Sequence, residues 1–156
     1  MDTSIHQKAF FENLQGKTCW SVIAGPGTGS MVKLAFGSKI KRKRKIKNDK
    51  LTAEQREYEG EFGIFIKFAN WIVGHRQAVI CCNDDSNEVG GLMLEGLSQI
   101  VSRAVVGTEF KPEQKRFTLN FEDDYYLVVT KNELESIDDN YSLSHLGQLI
   151  GFDSIH

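Results

Sequence analysis

The sequence predicts an α+β protein: a mainly antiparallel β-sheet structure built from two quasi-repeated modules, with a few short helices. It reads as one domain over residues 1–156, with halves at about 4–82 and 86–152. Three observations lead there. Apolar residues recur at every second position in several runs, and turn-forming residues separate those runs. A helical lead-in, an L-x-G and two strand-like runs occur twice, about 80 residues apart. At 156 residues, 40% hydrophobic and 26% charged, the chain is long enough for one good core.

In "FFENLQGKTCWSVIAG" a short helix ends at Leu14-Gln15-Gly16, where glycine can take the left-handed conformation that stops a helix. Trp20 and Val22 then alternate with Cys19, Ser21 and Ile23, and beyond a glycine-rich stretch Val32, Leu34 and Phe36 mark a second strand. The two form a β-hairpin with a long turn. Residues 39–60 are polar and lysine-rich, without apolar periodicity, and read as a long loop or a ragged helix. Phe62, Ile64, Ile66 and Phe68 share one face of the next strand, and "QAVICC" is a further strand reached through a turn at Gly74-His75.

Leu94-Glu95-Gly96 then echoes Leu14-Gln15-Gly16, with a strand expected after it, and Phe117, Leu119 and Phe121 echo Val32, Leu34 and Phe36. "RFTLNF" and "YYLVVTK" make a hairpin across Glu122, Asp123 and Asp124, and the tail "YSLSHLGQLIGF" is read as one short helix. Two copies are too few for a solenoid, so two half-modules sharing one core fit better.

The stretch "AGPGTGSMVKL" comes close to a phosphate-binding loop without completing one. That loop needs G-x-x-x-x-G-K-[ST] followed by a helix. Counting back from Gly29, Ala24 stands where the first glycine belongs, Ser30 takes the lysine position, and a strand pattern follows. The stretch is read as a turn.

The line-up resembles a family of small bacterial proteins. Its elements are a W-x-V (Trp20, Val22), a G-x-G-S turn (Gly27, Gly29, Ser30) and an L-x-F-G (Leu34, Phe36, Gly37). A G-E-[FW] strand (Gly60, Glu61, Phe62), a W-[RI]-[IV] segment (Trp71, Ile72, Val73), an L-x-G (Leu94, Gly96) and an L-x-F (Leu119, Phe121) follow. The likeness covers most of the chain, its motifs are structural, and the basic stretch at 41–47 departs from it. Some proteins of this kind are similar to the immunity proteins of polymorphic-toxin and contact-dependent growth inhibition systems. The resemblance therefore implies a protein that binds and neutralises a toxin encoded beside it.

No apolar run approaches membrane-spanning length and the N-terminus lacks a signal-peptide pattern, so a cytoplasmic protein without a membrane partner is expected. Cys19, Cys81 and Cys82 form no C-x-x-C pair and the four histidines are scattered. Three reduced thiols, no metal and no cofactor are expected.

Net charge of −2 conceals an asymmetry. Residues 1–80 carry 14 Lys+Arg against 7 Asp+Glu, and residues 81–156 carry 5 against 14. The basic run "KIKRKRKIKNDK" at 39–50 can neutralise phosphates, which makes a nucleic-acid-binding module the alternative function. The acidic half is better organised. Glu122, Asp123 and Asp124 sit at the hairpin tip, Glu133, Glu135, Asp138 and Asp139 follow in one connection, and Tyr125, Tyr126 and Tyr141 lie among them. Carboxylates that steer and tyrosines that anchor suit recognition of a basic protein such as a nuclease toxin. Tyr125 and Tyr126 should face opposite ways, so only one can be a contact. An enzyme comes third. The paired acids stand in hydrophilic, turn-like contexts, and Cys81 or Cys82 with His75 lacks a nucleophile–base signature.

Overall fold

The computed structural model describes residues 4–135 and 140–150. The first half runs α1 (Ser4–Leu14), β1 (Cys19–Ile23), β2 (Val32–Lys41), α2 (Ala53–Glu57), β3 (Tyr58–Ile66), β4 (Asn70–His75) and β5 (Ala78–Cys82). The second runs α3 (Leu92–Ser98), β6 (Val105–Lys111), β7 (Arg116–Phe121), β8 (Tyr125–Thr130), β9 (Tyr141–His145) and β10 (Gln148–Ile150). They make two five-stranded sheets, ordered β1-β2-β3-β9-β10 and β5-β4-β8-β7-β6. Every neighbouring pair is antiparallel. This is the α+β, mainly antiparallel class read from the sequence.

Alternation decides the core. Val32, Leu34 and Phe36 of β2, Phe62, Ile64 and Ile66 of β3, Phe117, Leu119 and Phe121 of β7, and Leu127 and Val129 of β8 are all buried in one cluster. Each such side chain contributes roughly 1.5–3 kcal/mol by leaving water. Phe10, Phe11 and Leu14 put one face of α1 into the same cluster. The Phe11 ring lies 5.2 Å from Phe110 and 4.6 Å from Phe117, so a helix of the first half packs on strands of the second.

The two halves exchange hairpins. Each contributes three consecutive strands to its own sheet, then a hairpin to the other: β4–β5 pairs with β8, and β9–β10 with β3. The registers match position for position. Trp71, Val73 and His75 oppose Val129, Leu127 and Tyr125, as Tyr141, Leu143 and His145 oppose Ile66, Ile64 and Phe62. Where the halves meet, Thr18 bridges Ala104. Reciprocal bonds flank that bridge: the Cys19 N–H donates to Arg103 O at 3.0 Å, and the Val105 N–H to Lys17 O at 2.9 Å. Such reciprocity is the mark of a two-fold relation within one chain.

Four details differ from the sequence reading. The first L-x-G does end a helix, with Gly16 at φ +88°, whereas Gly96 lies inside α3 and the strand starts only at Val105. A Cβ on Gly96 would stand 2.3 Å from Cys81 Sγ, so this glycine serves close helix–strand packing. In β1 a bulge between Cys19 and Ser21 breaks the alternation at Trp20, and β6 carries one at the matching place, between Val105 and Gly107.

The third is the run through Phe68. It splits into β3 and β4 because the Lys67 and Ala69 N–H groups donate to Asn140 O, outside any ladder, and the turn before β5 falls at Arg76 instead of Gly74-His75. The fourth is the tail. Residues 141–150 are the β9–β10 hairpin, turning at Leu146 and Gly147 (φ +53° and +81°), and not a helix. Within 39–60, residues 39–41 extend β2, residues 58–60 begin β3, and α2 occupies only five residues between them.

Candidate functional site

The acidic hairpin tip is a tight turn between β7 and β8. Asp123 and Asp124 both adopt left-handed backbone, φ +62° and +66°, which Asp tolerates better than most side chains. Glu122 Oε1 accepts a hydrogen bond from the Ala104 N–H at 2.8 Å. Asp123 accepts from the Arg103 guanidinium, Asp124 lies 3.6 Å from Arg76 Nε, and the Arg76 N–H donates to Asp124 O at 3.0 Å. The turn is thus tied to the β4–β5 turn and to the segment before β6. Even so, the carboxyl side chains of Asp123 and Asp124 remain 74% and 71% exposed.

The two tyrosines divide as strand geometry requires. Tyr125 packs against the core between His75, whose ring centroid is 4.2 Å away, and the Arg103 guanidinium, 4.1 Å from its own. Tyr126 turns to the outer face of the second sheet and crosses Gly74. It lines a shallow depression with Arg76, Val106, Asn120, Phe121 and Asp124, which Tyr125 also borders. Val106, at the β6 bulge, is 61% exposed, and Val79 of β5, opposite Gly74, is 58% exposed. Exposed carboxylates, an exposed valine (Val106) and a tyrosine therefore meet at one end of this sheet.

The remaining candidates lie elsewhere. Glu133 and Glu135 follow β8, at the end of the sheet opposite Glu122–Asp124 and about 20 Å away at strand rise. Lys115 pairs with Glu133, and its hydrogen bond and charge hold that carboxyl below its ordinary pKa. Tyr141 is 4% exposed, its ring edge-on to Phe117, which removes it from any surface a partner could touch. Asp138 and Asp139 lie outside the described residues. The hairpin tip and the later acidic connection therefore lie at opposite ends of β8 and do not form one surface with Tyr141.

The glycine-rich stretch is stitched into the fold. Asn87 Nδ2 donates to Gly25 O and Gly29 O, each at 2.9 Å, and Trp71 Nε1 donates to Ser30 O at 3.0 Å. Burial pushes the Cys19 and Cys81 thiols up to about 12, the reverse of what activates a nucleophile. Among the described residues no group of His, Cys, Asp or Glu is placed to hold a metal ion, and no helix is long and apolar enough to cross a membrane. Compared with known proteins, the chain matches no protein family, no curated protein and no solved structure.

The basic run is more ordered than its composition suggests. The Arg42 N–H donates to Glu57 O at 2.9 Å and the Ile46 N–H to Arg56 O at 3.0 Å, which holds the segment beside α2. Lys41, Lys43, Arg44, Lys45 and Lys47 are exposed along it.

Proposed function

We propose that this chain is an immunity protein: it binds a cognate, basic protein toxin in the bacterial cytoplasm and neutralises it without chemistry of its own. The observation that carries this reading is the pair Asp123 and Asp124. Their backbone is set by a tight turn, their carboxylates are mostly exposed, and Tyr126 and Val106 lie beside them. Acidic groups held in place before binding lose little freedom on binding, and long-range attraction speeds encounter with a cationic partner. Arg76 and Arg103 offset part of that charge, so the tyrosine and valine supply the anchoring contact.

The test is co-expression with a toxin encoded beside this chain, scored by growth and then by binding kinetics. Changing Asp123, Asp124, Asp138 and Asp139 to Lys should slow association on the order of tenfold or more at low salt. The effect should shrink as the Debye length falls to about 10 Å at 0.1 M. Unchanged protection and kinetics would remove this surface from the interface.

A second reading, nucleic-acid binding, draws on the ordered display of exposed bases from Lys41 to Lys47. It requires steeply salt-dependent binding that disappears when Lys41, Arg42, Lys43, Arg44 and Lys45 become Ser.

A further inference from the structure

The two halves differ most on the outer faces of their sheets. In the second sheet Tyr126 covers β4 so closely that a Cβ on Gly74 would lie 2.2 Å from its Cζ. The matching register in the first sheet sets Gly63 of β3 in the place of Tyr126, and Ser144 of β9 in the place of Gly74. Only the Ser144 hydroxyl reaches over Gly63, 2.6 Å from where a Cβ would stand, and no aromatic ring covers the pair. The connections differ too: residues 42–57 join β2 to β3, whereas only Glu122–Asp124 join β7 to β8.

The long connection is fastened over the same face. Gln55 Nε2 donates to Ser21 Oγ at 2.9 Å, Arg42 Nε donates to Gln55 O at 3.2 Å, and Lys39 Nζ to Glu54 Oε2 at 2.6 Å. The Lys39 ammonium stands 5.2 Å from the Trp20 ring centroid. Together these departures from the two-fold relation leave a cleft of about 190 Å³.

Its floor is small: Ala35, Gly63, Ser142 and Ser144. Its walls include the aromatic rings of Trp20, Tyr58 and Phe65. Lys33 and Arg42 line it with a single carboxylate, Glu59, so cations are in excess. Lys33 has no ion pair among the described residues, and desolvation, then the charge of Arg42, lowers its pKa against the opposing pull of Glu59. Trp20 Nε1 is buried without an acceptor among the described residues. Aromatic walls favour a flat apolar body, and the surplus of cations favours an anionic head.

We propose that this cleft binds a small aromatic carboxylate, its ring among Trp20, Tyr58 and Phe65 and its carboxylate at Lys33 and Arg42. The site is distinct from the acidic end of the second sheet and does not depend on the toxin-binding reading.

Calorimetry on the full chain tests it, with 3-phenylpropanoate, its neutral amide, phenyl phosphate and a short thymidine oligonucleotide as probes. The carboxylate should saturate with a dissociation constant on the order of 1 mM or tighter, the range for a ligand of this size. The amide should bind about tenfold more weakly or worse, for want of a charge-assisted bond. Gly63→Tyr with Ser144→Gly, which copies the filling used by the other half, should abolish binding while the circular dichroism spectrum stays native. Should that double variant not fold, Lys33→Met carries the test: about tenfold weaker carboxylate binding with unchanged thermal stability. Absence of saturation, equal binding of the amide, tighter binding of phenyl phosphate, or carboxylate binding unaltered in Lys33→Met would each overturn the proposal. Displacement of the carboxylate by the oligonucleotide would overturn it in favour of a nucleic-acid surface.

Discussion

Successive residues of a strand face opposite ways, and for Tyr125 and Tyr126 this decides which one can carry a binding effect. Tyr125 is held between His75 and Arg103 and packs against the core. Tyr125→Ala should therefore lower stability by about 1–2 kcal/mol in a urea titration, the cost of a half-buried aromatic with stacked partners. Tyr126 borders the carboxylates on the outer face and packs over Gly74, so Tyr126→Ala should lower stability too, but it alone should raise the off-rate of the proposed toxin, by the equivalent of about 2 kcal/mol. The reverse pattern would mean that Tyr125 is the contact. Alternation made the division legible, but not which tyrosine faces in: that follows from Leu127 and Val129 choosing the core side. Gly96 was misread at the same scale. An L-x-G looks alike whether its glycine ends a helix or admits Cys81, and only the neighbour across the chain tells them apart.

At the scale of elements, α2 is the short helix within the stretch read as a long loop or a ragged helix, and it is the most exposed to test. It has no buried residue and is held by a capping box, in which the Thr52 hydroxyl accepts from the Gln55 N–H and the Gln55 side chain accepts from the Thr52 N–H. Thr52→Ala should cost about 1 kcal/mol locally. Amide exchange across residues 53–57 should then quicken, with little change in the melting temperature of the whole. A large fall in melting temperature would show that α2 is part of the cooperative core. The hairpin β9–β10 was missed because Tyr141, Leu143 and Ile150 are too few to separate a strand period from a helical one. Its partner strand β3, over seventy residues earlier, decides the matter by offering an edge.

Across the whole molecule the exchange of hairpins makes each sheet depend on both halves, so groups buried by either half report on the single core. Burial pushes Cys19, Cys81 and Tyr141 up to about 12. Each keeps its proton in the folded chain at a pH where the unfolded chain has released it. Stability from these groups is complete below about pH 9 and is lost as pH rises toward about 12, by about 1.4 kcal/mol per unit for each group titrating. Urea unfolding compared at about pH 7 and about pH 10.5 should show a clear loss at the higher pH. Equal stability at the two would mean that these groups titrate alike in both states.

The sequence by itself determined the class of the fold and the inward faces of β2, β3 and β7, because alternation and turn chemistry are local and each strand carries its own pattern. It also showed the acidic tip and the tyrosine pair. Tertiary structure alone decided which strands neighbour one another, because hydrogen-bonding edges look the same in every strand. It withdrew Tyr141 into the core beside Phe117. The cleft over Gly63 and Ser144 was equally invisible in the sequence. Those residues lie eighty-one positions apart, and they pair only because a hairpin of one half completes the sheet of the other.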